Sequence, residues 1–263
     1  MSETNGIAQI VTLNRPQQRN AISLQIVEEL LQQLQRAEED KSVRALVLRG
    51  AGGNFCAGGD IGDMLAAQQR ASDGDAEAFY RLNRRFGELL EKFNRSRLVI
   101  IALLEGAVMG GGVGLACIAD IAIADSAAKF SLPETRLGLP PAQIAPFVVS
   151  RLGLSQSRRL ALSGATIDAP QAQRVGLCHL LADGSAALEQ ELQAQLQAIR
   201  ACAPAALAAT KQLLLASAQV ADDEQLSRLL DRGAEAFSNA IQGHEGREGA
   251  RAFLEKRAAE WQY

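Results

Sequence analysis

Two glycine-rich segments, residues 50–60 and 106–114, each stand between a short apolar run and the start of a helical pattern. A chain that repeats strand, glycine loop and helix is confined to layered α/β architectures, because its strands need cover on both faces. The flanking pattern agrees. Residues 7–13 alternate and are rich in β-branched side chains, 45–48 and 98–104 are continuous apolar runs, and 121–124 reads as a further strand. Ser23 can cap a helix carrying Ile26, Val27, Leu30, Leu31 and Leu34 at helical spacing. Asp60 opens a short helix, a longer one follows the polar break at 72–75 and runs to about residue 94, and 110–116 enters another. From residue 142 the pattern turns mostly helical, at 142–151, 156–163, 169–175, 186–201, 204–216, 222–240 and 245–260, with one strand at 178–181. The expected plan is an α/β core over residues 1–200 followed by a helical region over 201–263.

Glycine lets backbone approach a ligand closely, and a helix start presents N–H groups with no partner inside the helix. Each segment could therefore offer one N–H to an anionic oxygen, and two such groups from different loops make an oxyanion hole. A phosphate loop is excluded because no Gly-Lys-Ser/Thr ends either segment. A dinucleotide fingerprint fails at Leu115, where its third glycine belongs. Tight turns and close helix packing explain either loop alone equally well.

Composition narrows the classes further. The formal net charge is −3, so no overall basicity marks a nucleic-acid binder. The apolar runs are too short to span a bilayer, and the polar start at residues 1–6 is unlike a targeting signal. Cys56, Cys117, Cys178 and Cys202 show no paired spacing, which argues against disulfides and metal and for a reducing, cytoplasmic setting. His179 and His244 are the only histidines, leaving few candidates for a histidine-based triad.

Six stretches resemble the enoyl-CoA hydratase/isomerase (crotonase) superfamily in order and spacing. They are Leu13-Asn14-Arg15-Pro16 with Asn20-Ala21, Phe55-Cys56-Ala57-Gly58-Gly59-Asp60-Ile61, Gly106-x-x-x-Gly110-Gly111-Gly112, Ala119 to Ala124, Pro133-Glu134-Thr135-Arg136-Leu137-Gly138, and Ala252 to Arg257. The resemblance implies an α/β, crotonase-like spiral of β-β-α repeats with a helical C-terminal trimerisation region. It implies a homotrimer or a dimer of trimers, an acyl-CoA thioester as substrate, and no cofactor beyond the coenzyme A of that substrate. Carried onto these positions, it places oxyanion-hole N–H groups at Ala57 and Gly111. Ala57, Gly58, Gly59, Asp60, Ile61, Gly111 and Gly114 would border the thioester or coenzyme A, with Arg19 as a weaker candidate near phosphate. Phe253 and Lys256 match tail positions that close over the nucleotide held by a neighbouring subunit.

The resemblance also makes Glu134 the main acid/base group. Relatives with two glutamates carry the second where this chain has Gly114, so that side of the site is expected to be open. A lone carboxylate against an apolar pocket has a raised pKa and can carry a proton near neutral pH. The stretch 137–148 looks like hydratases of branched glutaconyl-CoA esters, such as 3-methylglutaconyl-CoA and isohexenylglutaconyl-CoA. Their distal carboxylate could orient water beside Gly114 or be gripped by Arg84 or Arg85, although a solvent-facing role is the commoner fate of such arginines. A single-glutamate enoyl-CoA isomerase is the alternative reaction. A further one is an RNA-binding relative using Arg151, Arg158 and Arg159, for which a solvated helix face is the plainer explanation. Cys56 is expected to be buried and inert, Glu105 structural, and Asp120 an anchor for backbone.

Overall fold

The apolar runs pair as parallel strands. The computed structural model describes residues 2–263, so the first residue of the polar start lies outside the described residues. Strands β1 (Ser2–Asn5), β2 (Ala8–Leu13), β3 (Ala45–Gly50), β4 (Val99–Leu104), β6 (Ile121–Asp125) and β9 (Leu180–Ala182) form a six-stranded sheet in the order β1-β2-β3-β4-β6-β9. In this sheet the β1–β2 pair is antiparallel and every other pair is parallel.

Between these strands the chain makes a second, smaller layer of β5 (Ala107–Met109), β7 (Lys129–Ser131) and β8 (Thr166–Asp168). Single bridges Ile22–Gly59 and Cys56–Val108 extend that layer. Each turn of chain thus visits the large sheet, then the small layer, then a helix: α1 (Leu24–Glu39), α2 (Ile61–Ser72) with α3 (Ala78–Arg95), α4 (Gly111–Ile118) and α5 (Ala145–Ser163). This is the β-β-α spiral that the sequence resemblance implies. The remaining helices are α6 (Ala169–Arg174), α7 (Gly184–Arg200), α8 (Pro204–Ser217), α9 (Asp223–Gln242) and α10 (His244–Glu255).

Alternation along the strands builds two cores. Leu46, Leu48, Ile100, Ala102 and Leu104 face α1, α3 and α4, while Ala45, Val47, Ile101, Leu103 and Ile123 face α7. Leu188, Leu192, Leu196 and Ile199 of α7 close the second face, each contributing about 1.5–3 kcal/mol relative to exposure. By contrast α8 and α9 bury no residue, and Leu226, Leu230, Phe237 and Ile241 form an exposed stripe along α9.

Three local expectations change. The helical patterns at 142–151 and 156–163 are one element, α5, kinked at Gly153 where φ is 70°. The last helix stops at Glu255 because Lys256 turns left-handed, with φ 53°. The strands β1, β5, β7 and β8 were not expected, being polar or only three or four residues long.

Candidate active site

The first glycine segment is held from behind by the turn at residues 15–22. Asn20 is fully buried; its Oδ1 accepts from the Arg15 N–H at 2.9 Å, and its Nδ2 donates to the carbonyls of Ala51 (2.9 Å) and Asn54 (2.6 Å). Arg19 and Asn20 both adopt left-handed backbone, φ 47° and 58°, a strained choice for residues with side chains. Arg15 also pairs with Asp60 at 2.6 Å, and Asp60 caps α2 through the Asp63 N–H. Burial alone would raise the Asp60 pKa, but the bonds from Arg15 and Asp63 outweigh it and hold the carboxyl low.

This arrangement corrects the assignment of Ala57 as an oxyanion donor. The Ala57 N–H is already committed to the Arg19 carbonyl at 3.0 Å. Further along, Gly58 O accepts from Ile22 N–H and Asp60 N–H donates to Ile22 O. Extended backbone alternates its bonding edge, so the Gly59 N–H points away from Ile22, and it donates to no described residue. On the second segment, Gly111 is the first residue of α4, and its N–H has no partner within the helix. Gly59 and Gly111 are therefore the free donors. The segments lie against each other: Cys56 N–H donates to Ala107 O, Met109 N–H to Cys56 O, and Gly110 N–H to Ser131 O of β7.

Glu134 enters from the short turn Glu134–Leu137 that follows β7. A β-carbon on Gly110 would stand 2.9 Å from Glu134 Oε1 and 3.7 Å from Gly58 Cα, so the carboxylate lies where both segments meet. Gly110 itself has φ 51°, which brings the start of α4 under the carboxylate without a side chain in the way. Glu134 Oε2 is buried with no hydrogen-bond partner among the described residues. Burial pushes the Glu134 pKa up, so the group holds a proton more readily than an exposed glutamate.

The side expected to be open is filled. A β-carbon on Gly114 would fall 2.4 Å from Ile144 Cγ2 and 3.7 Å from Leu90 Cδ1, and Ile144 is only 4% exposed. Gly114 is thus covered by an isoleucine and presents nothing to a ligand, which removes it from the binding residues. The neighbouring wall is apolar too. Phe86 and Ile22 lie 3.3 Å from where a β-carbon on Gly111 would stand, and Met64 Cε lies 3.1 Å from the same point on Gly59. Ile144 falls in the stretch 137–148 noted in the sequence, but its contact with Gly114 is not legible there, and Phe86 and Met64 carry no sequence signal, since only tertiary packing brings all three to the glycines.

Other expectations resolve by position. Arg85 is paired with both Glu28 and Glu88, with contacts of 2.6 Å, whereas Arg84 is paired among the described residues with Glu91 alone, at 3.4 Å. Cys56 is buried, its thiol pushed up to about 12 by desolvation, which makes it a poor nucleophile. Asp120 anchors Ile100 N–H and pairs with Lys211, and Glu105 accepts from Ser185, both structural contacts. Arg151 is engaged with the carbonyls of Cys117 and Ala119 at the end of α4, not part of a basic surface with Arg158 and Arg159. Ile61, Phe253 and the Arg19 side chain are exposed. Among the described residues, no three His, Cys, Asp or Glu side chains are grouped to hold a metal, and no helix is long and apolar enough to cross a membrane.

The family model for enoyl-CoA hydratase/isomerase matches residues 2–263. The chain belongs to this family. As a crotonase-superfamily enzyme it works on an acyl-CoA thioester. Pseudomonas aeruginosa AtuE superimposes with a TM-score of 0.94 at 52% identity, over 100% of this chain and 99% of that one. An enoyl-CoA hydratase/isomerase from Marinobacter aquaeolei gives 0.94 at 51% identity, over 100% and 98%. Among curated relatives, the 2,3-dehydroadipyl-CoA hydratase of Escherichia coli is 32% identical over 253 residues, 96% of this chain and 94% of that protein.

Proposed function

We propose that the chain hydrates the 2,3 double bond of a 3-substituted glutaconyl-CoA, a branched thioester ending in a second carboxylate, with Glu134 as its one acid/base group. The observation that carries this reading is the buried, unpartnered Oε2 of Glu134 beside a site whose other side is closed by Ile144. A distal acid on the substrate is supported by the dehydroadipyl-CoA hydratase among the relatives, whose named substrate is also a dicarboxylic enoyl thioester.

In this reading the N–H groups of Gly59 and Gly111 hold the thioester oxygen, and losing one would cost about 3–4 kcal/mol of transition-state stabilisation. Glu134 takes a proton from water as the water oxygen bonds to carbon-3. The electron pair of the double bond moves toward the thioester oxygen, giving an enolate. The protonated Glu134 then returns its proton to carbon-2. Because Ile144 excludes a second carboxylate, both proton transfers occur on the Glu134 side. Gly58, Asp60, Ile61 and Arg19 would border coenzyme A, and Phe253 and Lys256 would reach the nucleotide of a neighbouring copy in a trimer or dimer of trimers. No cofactor beyond coenzyme A is required, and free thiols at all four cysteines suit a reducing cytoplasm.

The closed apolar wall also suits an isomerase, in which Glu134 moves a proton between carbons 2 and 4. Absorbance of the conjugated thioester separates the two across crotonyl, 3-methylglutaconyl, isohexenylglutaconyl and 3-enoyl esters. Loss of conjugation with uptake of labelled water into 3-methylglutaconyl-CoA supports hydration. Activity confined to the 3-enoyl ester, with no label taken up, overturns it.

A further inference from the structure

The acyl side of the site ends in a polar cluster that nothing so far has used. Helix α3 supplies the wall: Phe86 lies 3.3 Å from where a β-carbon on Gly111 would stand and Leu90 3.7 Å from the same point on Gly114, both on the face that also carries Asn83 and Gly87. Gly87 has no side chain, and Gln143, the neighbour of Ile144, lies in the space this leaves. A β-carbon on Gly87 would stand 1.9 Å from Gln143 Oε1 and 3.1 Å from Arg84 Nη1. Gln143 Nε2 donates to Asn83 Oδ1 at 2.9 Å. One helix face therefore passes from an apolar wall to a group of amides beside a guanidinium.

That guanidinium is available. Its ion pair with Glu91 is long, at 3.4 Å, and Glu91 is shared with Arg95 at 3.1 Å, with all three side chains well exposed. Such pairs are worth little. Arg85, one residue along, is held by two carboxylates on a different face through Nε, Nη1 and Nη2 at 2.6 Å each.

We infer that Arg84, with the Gln143 amide beside it, receives the distal carboxylate of a dicarboxylic acyl thioester. This rests on the substrate class proposed above and names the residues that select it. A thioester oxygen at Gly59 and Gly111 directs the acyl chain past Phe86 toward Gln143, and a short diacid ends its apolar part where the polar cluster begins. The planar fork of Arg84 can then hold both carboxylate oxygens, leaving the weak contact with Glu91.

The test uses binding, so it is independent of turnover. Calorimetry compares 3-methylglutaryl-CoA with isovaleryl-CoA, which lacks only the distal acid; neither has a double bond to hydrate. Arg84→Gln should weaken the diacid ester about 10- to 100-fold, as expected for a charge-assisted hydrogen-bonded pair, and leave isovaleryl-CoA unchanged. Arg84→Lys should recover only part of the loss, and Arg85→Gln should move neither ligand. Equal effects of Arg84→Gln on both esters, or none on either, overturn the assignment. Failure of the native enzyme to hydrate 3-methylglutaconyl-CoA would instead end the reaction proposed above, while this binding comparison would stand or fall separately.

Discussion

Gly114→Ala isolates the packing of Ile144 over α4 beside the glycine segments. The added methyl would lie 2.4 Å from Ile144 Cγ2, well inside the roughly 3.5–4.0 Å at which carbon atoms meet comfortably. Overpacking of this kind costs about 1–3 kcal/mol. Opposing it, alanine is better than glycine within a helix by about 1 kcal/mol. The net expectation is a loss of up to about 2 kcal/mol in the native background. Ile144→Ala alone costs about 2–5 kcal/mol through the cavity it leaves. Adding Gly114→Ala to that variant should reverse sign and stabilise by up to about 1 kcal/mol, because the methyl then enters the emptied space. The coupling between the positions is therefore on the order of 2 kcal/mol, far above the few tenths expected of independent sites. Urea unfolding of all four proteins, followed by far-ultraviolet circular dichroism at one protein concentration, measures it. Equal effects of Gly114→Ala in both backgrounds would show that Ile144 does not occupy the space above Gly114.

Other perturbations probe the acid, its scaffold and the outer helices. Glu134→Gln should abolish turnover while raising stability. Burial lifts the Glu134 pKa, so its ionised form is a cost to the fold, one that is absent below about pH 4 and grows as pH rises through the raised value. Melting temperatures at pH 4 and pH 8 should show the variant's advantage only at the higher pH; an equal gain at both would contradict this cause. Asn20→Ala leaves two carbonyls and one N–H without their partner and should cost about 2–3 kcal/mol, with kcat falling more than KM rises as Gly59 loses its placement. A KM effect alone would count against that role. If the proposed trimer packs through the exposed stripe of α9, Phe237→Glu and Leu230→Glu should lower the sedimentation coefficient to that of a monomer; an unchanged coefficient would count against an interface there.

What the sequence made legible follows element length and locality. Strands β2, β3, β4 and β6 are long apolar or β-branched runs, so they declare themselves, as does α1 through its Ser23 cap and regular leucines. The small layer is silent because three residues cannot show a period of two against background. Gly111 is readable as a donor since a helix start frees its N–H locally. Gly59 is not, because the choice between it and Ala57 is made by a carbonyl on Arg19, well away along the chain. Likewise Gly114 announces a missing side chain, but the isoleucine that fills the gap comes from a different turn of the spiral.

The small layer ties both donor segments and β7, which leads to Glu134, into one hydrogen-bonded seam, through Ile22 with Gly58 and Asp60, Cys56 with Ala107 and Met109, and Gly110 with Ser131. The stretch 136–140 that leads toward Gln143 and Ile144 lies outside that seam and is exposed throughout. It is nonetheless tied to Glu134 by its own backbone, since residues 136 and 137 belong to the turn that carries the carboxylate and Leu139 N–H donates to Glu134 O at 3.0 Å. The seam therefore fixes where the two glycine segments meet, while beyond it only the exposed side chains are free to vary, as long as the hydrogen bonds of the Glu134 turn are kept.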